Sequence, residues 1–333
     1  PRSTPLYSSA ASDVYKRQDW FWTALIFIAA LLILFGPKRI YAAVERSVMV
    51  MVLIITIGML IVAFSVGTWA DVGSMIQGLG NIGHIELDDE FTFHRFFGAF
   101  VFAGAGGLSN LYYAYYLRDK NIGMGARIPV LLNPLREAQR GNSEIGFRFP
   151  STTANVKIFY DWFKFVKIDT TCFFWLANTF TMFLFMFGAL VVLYPAGIVP
   201  DEGELLWDLA MILEGPMGTF GRYLFLVVGI AALFSSILAG MDGGVRLWVD
   251  ILHTNFGFTN KFAANKLYLG IAVGLSTIGV VATWFFTAFD ISALDFFFIS
   301  GMLSGFAMAG YVPAILYMNL KHLPAAVRPK PLN

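Results

Sequence analysis

The sequence predicts an all-α integral membrane protein that crosses the bilayer seven times, and three observations carry this. Hydrophobic residues make up 57% of the 333 and charged residues only 14%. An average soluble protein carries about 25% charged residues, so these are too few to cover a water-facing surface. Seven apolar runs approach or exceed the roughly 20 helical residues that span a hydrocarbon core of about 30 Å. The segments between the runs alternate in charge from one to the next. Such apolar content excludes disorder. The single cysteine, Cys172, excludes an intrachain disulfide framework and a cysteine-based zinc site. A net charge of +1 gives no sign of nucleic-acid binding.

The elements follow in order. Residues 1–18 are small, polar and patternless, without the basic, apolar and cleavage regions of a signal peptide. They are expected to be an extraneous or disordered tail. The first methionine is Met49, so the chain is expected to be a fragment. The runs are 20–36, stopped by Pro37, then 48–66, 96–117, 171–194, 220–240, 267–289 and 291–318. The transmembrane domain therefore covers 19–323, and 324–333 form a tail. Continuous apolar runs argue for helices, since membrane strands would alternate. Before the fourth run, residues 156–167 place Val156, Phe159, Tyr160 and Phe163 on one helical face and Lys157, Asp161 and Lys164 on the other. This predicts an interfacial helix lying on the inner leaflet.

Residues 37–47, 118–169, 242–266 and those after Asn319 hold eighteen lysines and arginines. The intervening segments 67–95 and 195–221 hold ten carboxylates, with Arg95 as their only lysine or arginine. Excess lysine and arginine marks the cytoplasmic side, which puts the C-terminus inside. The acidic segments are expected to be outer loops. One contains a literal G-x-G-x-x-G at Gly78, Gly80 and Gly83, but it follows a membrane run and not a strand, so no dinucleotide site is expected.

The third run carries Gly104, Gly106 and Gly107 at its middle, followed by Ser109 and Asn110. Glycine is a poor helix former, and such a cluster invites unwinding. Unwound backbone at bilayer depth survives where it is buried or lines a cavity, and transporters build substrate sites that way. Close helix packing through small residues is the alternative. The last run has a similar stripe, Ser300, Gly301, Ser304, Gly305 and Gly310, which serves either packing or a transport path. Asp242 stands at the inner edge of the fifth run, with Arg246 and Asp250 at helical spacing. A solvated helix end is the default expectation there, and an ion-pair gate the sharper one. No catalytic constellation is recognisable, so no enzymatic activity and no cofactor are expected.

The motif G-A-G-G-L-S-N with the following Y-L-R-D-K-N-I-G-M-G, residues 104–125, resembles the sixth helix and next loop of the Nramp-like branch of divalent metal transporters. The flanking Y-A-A-V-E-R, residues 41–46, is similar to that family's basic link between its fourth and fifth helices. The resemblance implies a five-plus-five inverted repeat, of which this chain is helices four to ten, with the first helices of the same protein missing. It also implies a plasma (inner) membrane location, ion- or proton-coupled transport, and a divalent cation (Mg²⁺, Mn²⁺ or Fe²⁺) as cargo. The site residues implied are Gly104, Gly107, Ser109 and Asn110, with Ser300 and Ser304 as path-lining candidates. Gly104 and Asn110 stand as metal ligands. Where the well-studied branch reads Met-Pro-His-Asn, this chain reads Gly107, Leu108, Ser109 and Asn110. Losing the thioether favours a harder ion, and Gly107→Met is expected to restore a preference for softer ones. The competing reading is a transporter of the same architecture for a small organic solute such as an amino acid. A membrane scaffold or receptor is a third.

Overall fold

The computed structural model of the chain describes residues 19–36, 38–80, 92–103, 106–125, 149–200, 205–289 and 291–329, and among these it contains no strand. In chain order the helices are α1 (Asp19–Phe35), α2 (Lys38–Ser65), α3 (Trp69–Leu79), α4 (Phe93–Phe102), α5 (Ser109–Asp119), α6 (Thr153–Ile168), α7 (Asn178–Gly188), α8 (Leu205–Asn255), α9 (Ala264–Ala288) and α10 (Ala293–Lys321). Among the described residues, four helical stretches are long and apolar enough to cross a membrane, or five if Met49–Ser65 and Trp69–Leu79, bent by 109° from each other, form one span. Between 6% and 28% of each of the four long apolar windows is buried inside the protein. The remaining apolar surface faces outward and is far more than water tolerates on a folded chain. The protein is a multi-pass, all-helical membrane protein. The predicted first run forms a helix of only 17 residues, and the third is split between α4 and α5.

Two stretches expected to be loops fold as helix. Residues 67–95 begin with α3, whose start is a capping box. The Asp71 N–H donates to the Thr68 hydroxyl at 3.3 Å, and the Thr68 N–H donates to the Asp71 carboxylate at 2.8 Å. This pairing satisfies two helix-end donors at once. It also places Gly78 in the last turn of α3 and Gly80 at its C-cap, while Gly83 and the acidic residues 86–90 lie outside the described residues. The second stretch is the start of α8. Within residues 195–221, expected to be an outer loop, Ala210, Ile212 and Leu213 are wholly buried on a helix. α8 breaks direction only at Gly218, whose backbone is left-handed (φ 61°), just after Pro216. The charges in both stretches obscured short amphipathic helices.

Thr68→Ala removes the acceptor of the Asp71 N–H and should lower hydrogen-exchange protection of residues 70–74 several-fold.

The amphipathic segment 156–167 does not form a separate interfacial helix. From Thr153 to Leu193 the chain is helical over 41 residues. Wider π-type turns at Asp169–Ala177 and Ala189–Leu193 link α6 and α7 without a break. At about 1.5 Å per residue the stretch is about 60 Å long, about twice the thickness of a bilayer core of about 30 Å.

The chain forms two compact units. One comprises Ala42–Phe96 and Val156–Ser236. Its core joins Ile55, Met59 and Val62 of α2, Leu184 of α7 and Leu193 to Ala210, Ile212, Leu213, Phe225 and Val228 of α8. The other takes in residues up to Tyr41, then Phe97–Asn155 and Ile237–Asn333. Its core sets Val245 and Val249 of α8 against Ala264, Tyr268 and Ala272 of α9, with Leu31 and Phe35 of α1 packed on them. The candidate site belongs to this second unit.

Candidate functional site at the break between two short helices

α4 ends at Phe102 and α5 begins at Ser109, and the backbone between them is not helical at Gly106–Leu108. Gly107 is left-handed (φ 67°), a conformation that side-chain-bearing residues rarely adopt. Gly106 passes so close to the Val101 carbonyl that a Cβ there would lie 1.8 Å from its oxygen. The glycine cluster therefore interrupts the helix as expected, and the helical break replaces the packing-only reading of this run. Gly104 lies outside the described residues.

α10 lies along α4 through small residues. A Cβ on Gly98 would meet the Phe298 backbone, one on Gly301 would meet the Phe102 ring, and one on Gly305 would meet Val101 and Phe97. Phe102 also stacks on Phe297, with ring centroids 4.3 Å apart. The stripe on the last run is thus a packing surface at Gly301 and Gly305. Ser304 leaves that pattern. Its Cβ lies 2.5 Å from the position a Cβ on Gly107 would take.

Two residues that the sequence reading missed complete the arrangement. The Gly107 N–H donates to the Met308 sulfur at 3.0 Å, and the Tyr311 hydroxyl donates to the Gly107 carbonyl at 2.5 Å. Asn110 Nδ2 donates to the same Tyr311 hydroxyl at 3.3 Å. The Ser109 hydroxyl donates to the Gly106 carbonyl at 2.7 Å. Backbone groups freed by the break are therefore met by side chains, which is the condition for unwound chain within a membrane. Ser304, Met308 and Tyr311 stand four and three residues apart, on one face of α10. That spacing is legible in the sequence, but the helix that this face meets is not. Of the predicted site residues, the structure brings Gly107, Asn110 and Ser304 together, with Ser109 beside them. Ser300 stays apart, its hydroxyl donating to the Phe297 carbonyl of its own helix at 2.7 Å.

The space beside Gly107 also overturns one expectation. A methionine at 107 would need a left-handed backbone and would drive its Cβ into Ser304. The substitution cannot report on ion preference.

A second polar cluster lies in the same unit. Asp242 is not at a solvated helix end. α8 continues to Asn255, and Asp242 is 6% exposed. Its carboxylate pairs with Arg246 at 3.0 Å and accepts the Tyr268 hydroxyl of α9 at 2.7 Å. Asp250, five residues before the end of α8, accepts the Tyr115 hydroxyl of α5 at 2.7 Å, and Tyr116 donates to the Ala239 carbonyl at 3.2 Å. α5 and α9 are thus both tied to α8 by tyrosine hydroxyls.

The donors at the break are neutral: a carbonyl, an amide, hydroxyls and a thioether. Among the described residues, no group of three or more His, Cys, Asp or Glu is placed to hold a metal ion. No family model, no curated protein and no solved structure matches this chain.

Proposed function

We propose that the protein is a secondary transporter of a divalent cation, Mg²⁺, Mn²⁺ or Fe²⁺, coupled to an ion or a proton, of the Nramp-like kind that residues 104–125 resemble. In this reading the seven predicted runs are helices four to ten of a five-plus-five inverted repeat. The protein sits in the plasma (inner) membrane with its C-terminus in the cytoplasm. The observation that carries the proposal is the interrupted helix at Gly107, inside an apolar run, with Met308 and Tyr311 bonded to its freed backbone, Asn110 on the Tyr311 hydroxyl and Ser304 beside the glycine. Broken helices of this type present carbonyls and helix ends to a cation that has shed part of its water. Neutral oxygen donors and retained waters suit Mg²⁺ or Mn²⁺, and the Met308 sulfur, the soft donor at the break, is engaged by the Gly107 N–H.

The test is uptake into proteoliposomes loaded with a divalent-cation indicator. Asn110→Ala should raise the half-saturating cation concentration by about 10-fold or more, as expected for removal of a group that binds or orients the ion. Unchanged uptake by this variant would remove Asn110 from the site.

One observation favours a second reading, a small solute bearing a carboxylate. α5 starts directly after the break without a side-chain cap from Leu108. The partial positive charge of such a helix start suits an anionic group. Competition of an amino acid mixture with cation uptake, or uptake of the amino acids alone, separates the two.

A further inference from the structure

The Tyr311 hydroxyl has one proton, and that proton is committed to the Gly107 carbonyl at 2.5 Å. Toward Asn110 the hydroxyl can therefore act only as an acceptor, and Asn110 meets it with Nδ2 at 3.3 Å. This removes the freedom of the asparagine amide to turn over. With Nδ2 on Tyr311, the amide oxygen is the end directed away from the hydroxyl. A single hydroxyl on α10 thus sets the conformation of the left-handed Gly107 peptide and the direction of the Asn110 amide, over a sequence separation of 201 to 204 residues. Met308, one turn earlier on the same helix, holds the N–H of Gly107, so the peptide units on both sides of Gly107 are tied to α10.

We infer that Tyr311 is a positioning residue that orients the Asn110 amide so that its oxygen, and not its nitrogen, is offered to the transported cation. Its kinetic consequence rests on the transport reading above, while the orientation itself does not. Partners that fix a ligand's orientation in this way are worth about 10–100-fold in metal affinity.

The experiment compares wild type, Tyr311→Phe, Asn110→Asp and the double variant for Mg²⁺ and Mn²⁺ uptake in proteoliposomes. Tyr311→Phe should raise the half-saturating concentration by about 10-fold, with a smaller effect on maximal rate. In the Asn110→Asp background the same change should add nothing to the half-saturating concentration. A carboxylate has an acceptor oxygen on each side and cannot be presented the wrong way round. An equal rise in both backgrounds would mean that Tyr311 acts only through the stability of the fold, and the inference would be overturned. A second measurement is independent of cargo. In asparagine-labelled protein in micelles, the Asn110 side-chain amide resonance, assigned by its loss in Asn110→Asp, should shift in Tyr311→Phe as it loses its acceptor. An unmoved resonance overturns the inference whatever the transport data show. A resonance that shifts in Tyr311→Phe, while the wild-type protein carries neither ion, supports the orientation and counts against the cation reading.

Discussion

Asp242→Asn is expected to destabilise the protein by about 3–5 kcal/mol, the usual cost of stripping one member from a buried ion pair. The cause is not the loss of attraction alone. Arg246, 3.0 Å away, loses this acceptor while its charge stays in the interior of the unit. The Tyr268 hydroxyl exchanges a charged acceptor for a neutral one. Thermal unfolding in detergent, followed by the monodisperse fraction, measures the effect. The triple variant Asp242→Leu, Arg246→Met, Tyr268→Phe should recover most of the loss, because replacing a whole buried pair by apolar groups of similar size is close to neutral. If the triple variant is as unstable as Asp242→Asn, the cluster is fixed by shape and not by charge.

Gly107→Ala is expected to cost about 2–5 kcal/mol. A left-handed backbone costs a residue with a Cβ about 1–2 kcal/mol, and overpacking adds about 1–3 kcal/mol. The two parts can be separated. The nearest atom to the new methyl is the Ser304 Cβ at 2.5 Å, while the Ser304 Cα is at an ordinary 3.6 Å. Adding Ser304→Gly should relieve the contact and leave the backbone term, restoring about half of the loss. Such recovery on unfolding would locate Gly107 against α10. A Gly107→Ala protein as stable as wild type would contradict the left-handed turn.

These two positions were legible in the sequence to different degrees. Three glycines within four residues of an apolar run announced a break at 104–110, because glycine acts on the backbone where it stands. The charge of Asp242 was visible, and so was its spacing to Arg246. Its burial was not, since that depends on Tyr268 from another helix. The capping box at Thr68 and Asp71 was also present as a local pattern, but the acidity of the segment hid it, and α3 was read as loop.

Composition, apolar run length and charge alternation determined by themselves that this is a helical membrane protein, because transfer to hydrocarbon is a property of each segment alone. The interruption of the third run was likewise a local matter of backbone propensity. Only the tertiary structure decided what the interruption faces. Met308 and Tyr311 reach Gly107 across 201 and 204 residues of chain, and no periodicity in either segment encodes that meeting. It follows from the fit of α4 against the small residues Gly301 and Gly305 of α10, which brings Ser304, Met308 and Tyr311 to the break.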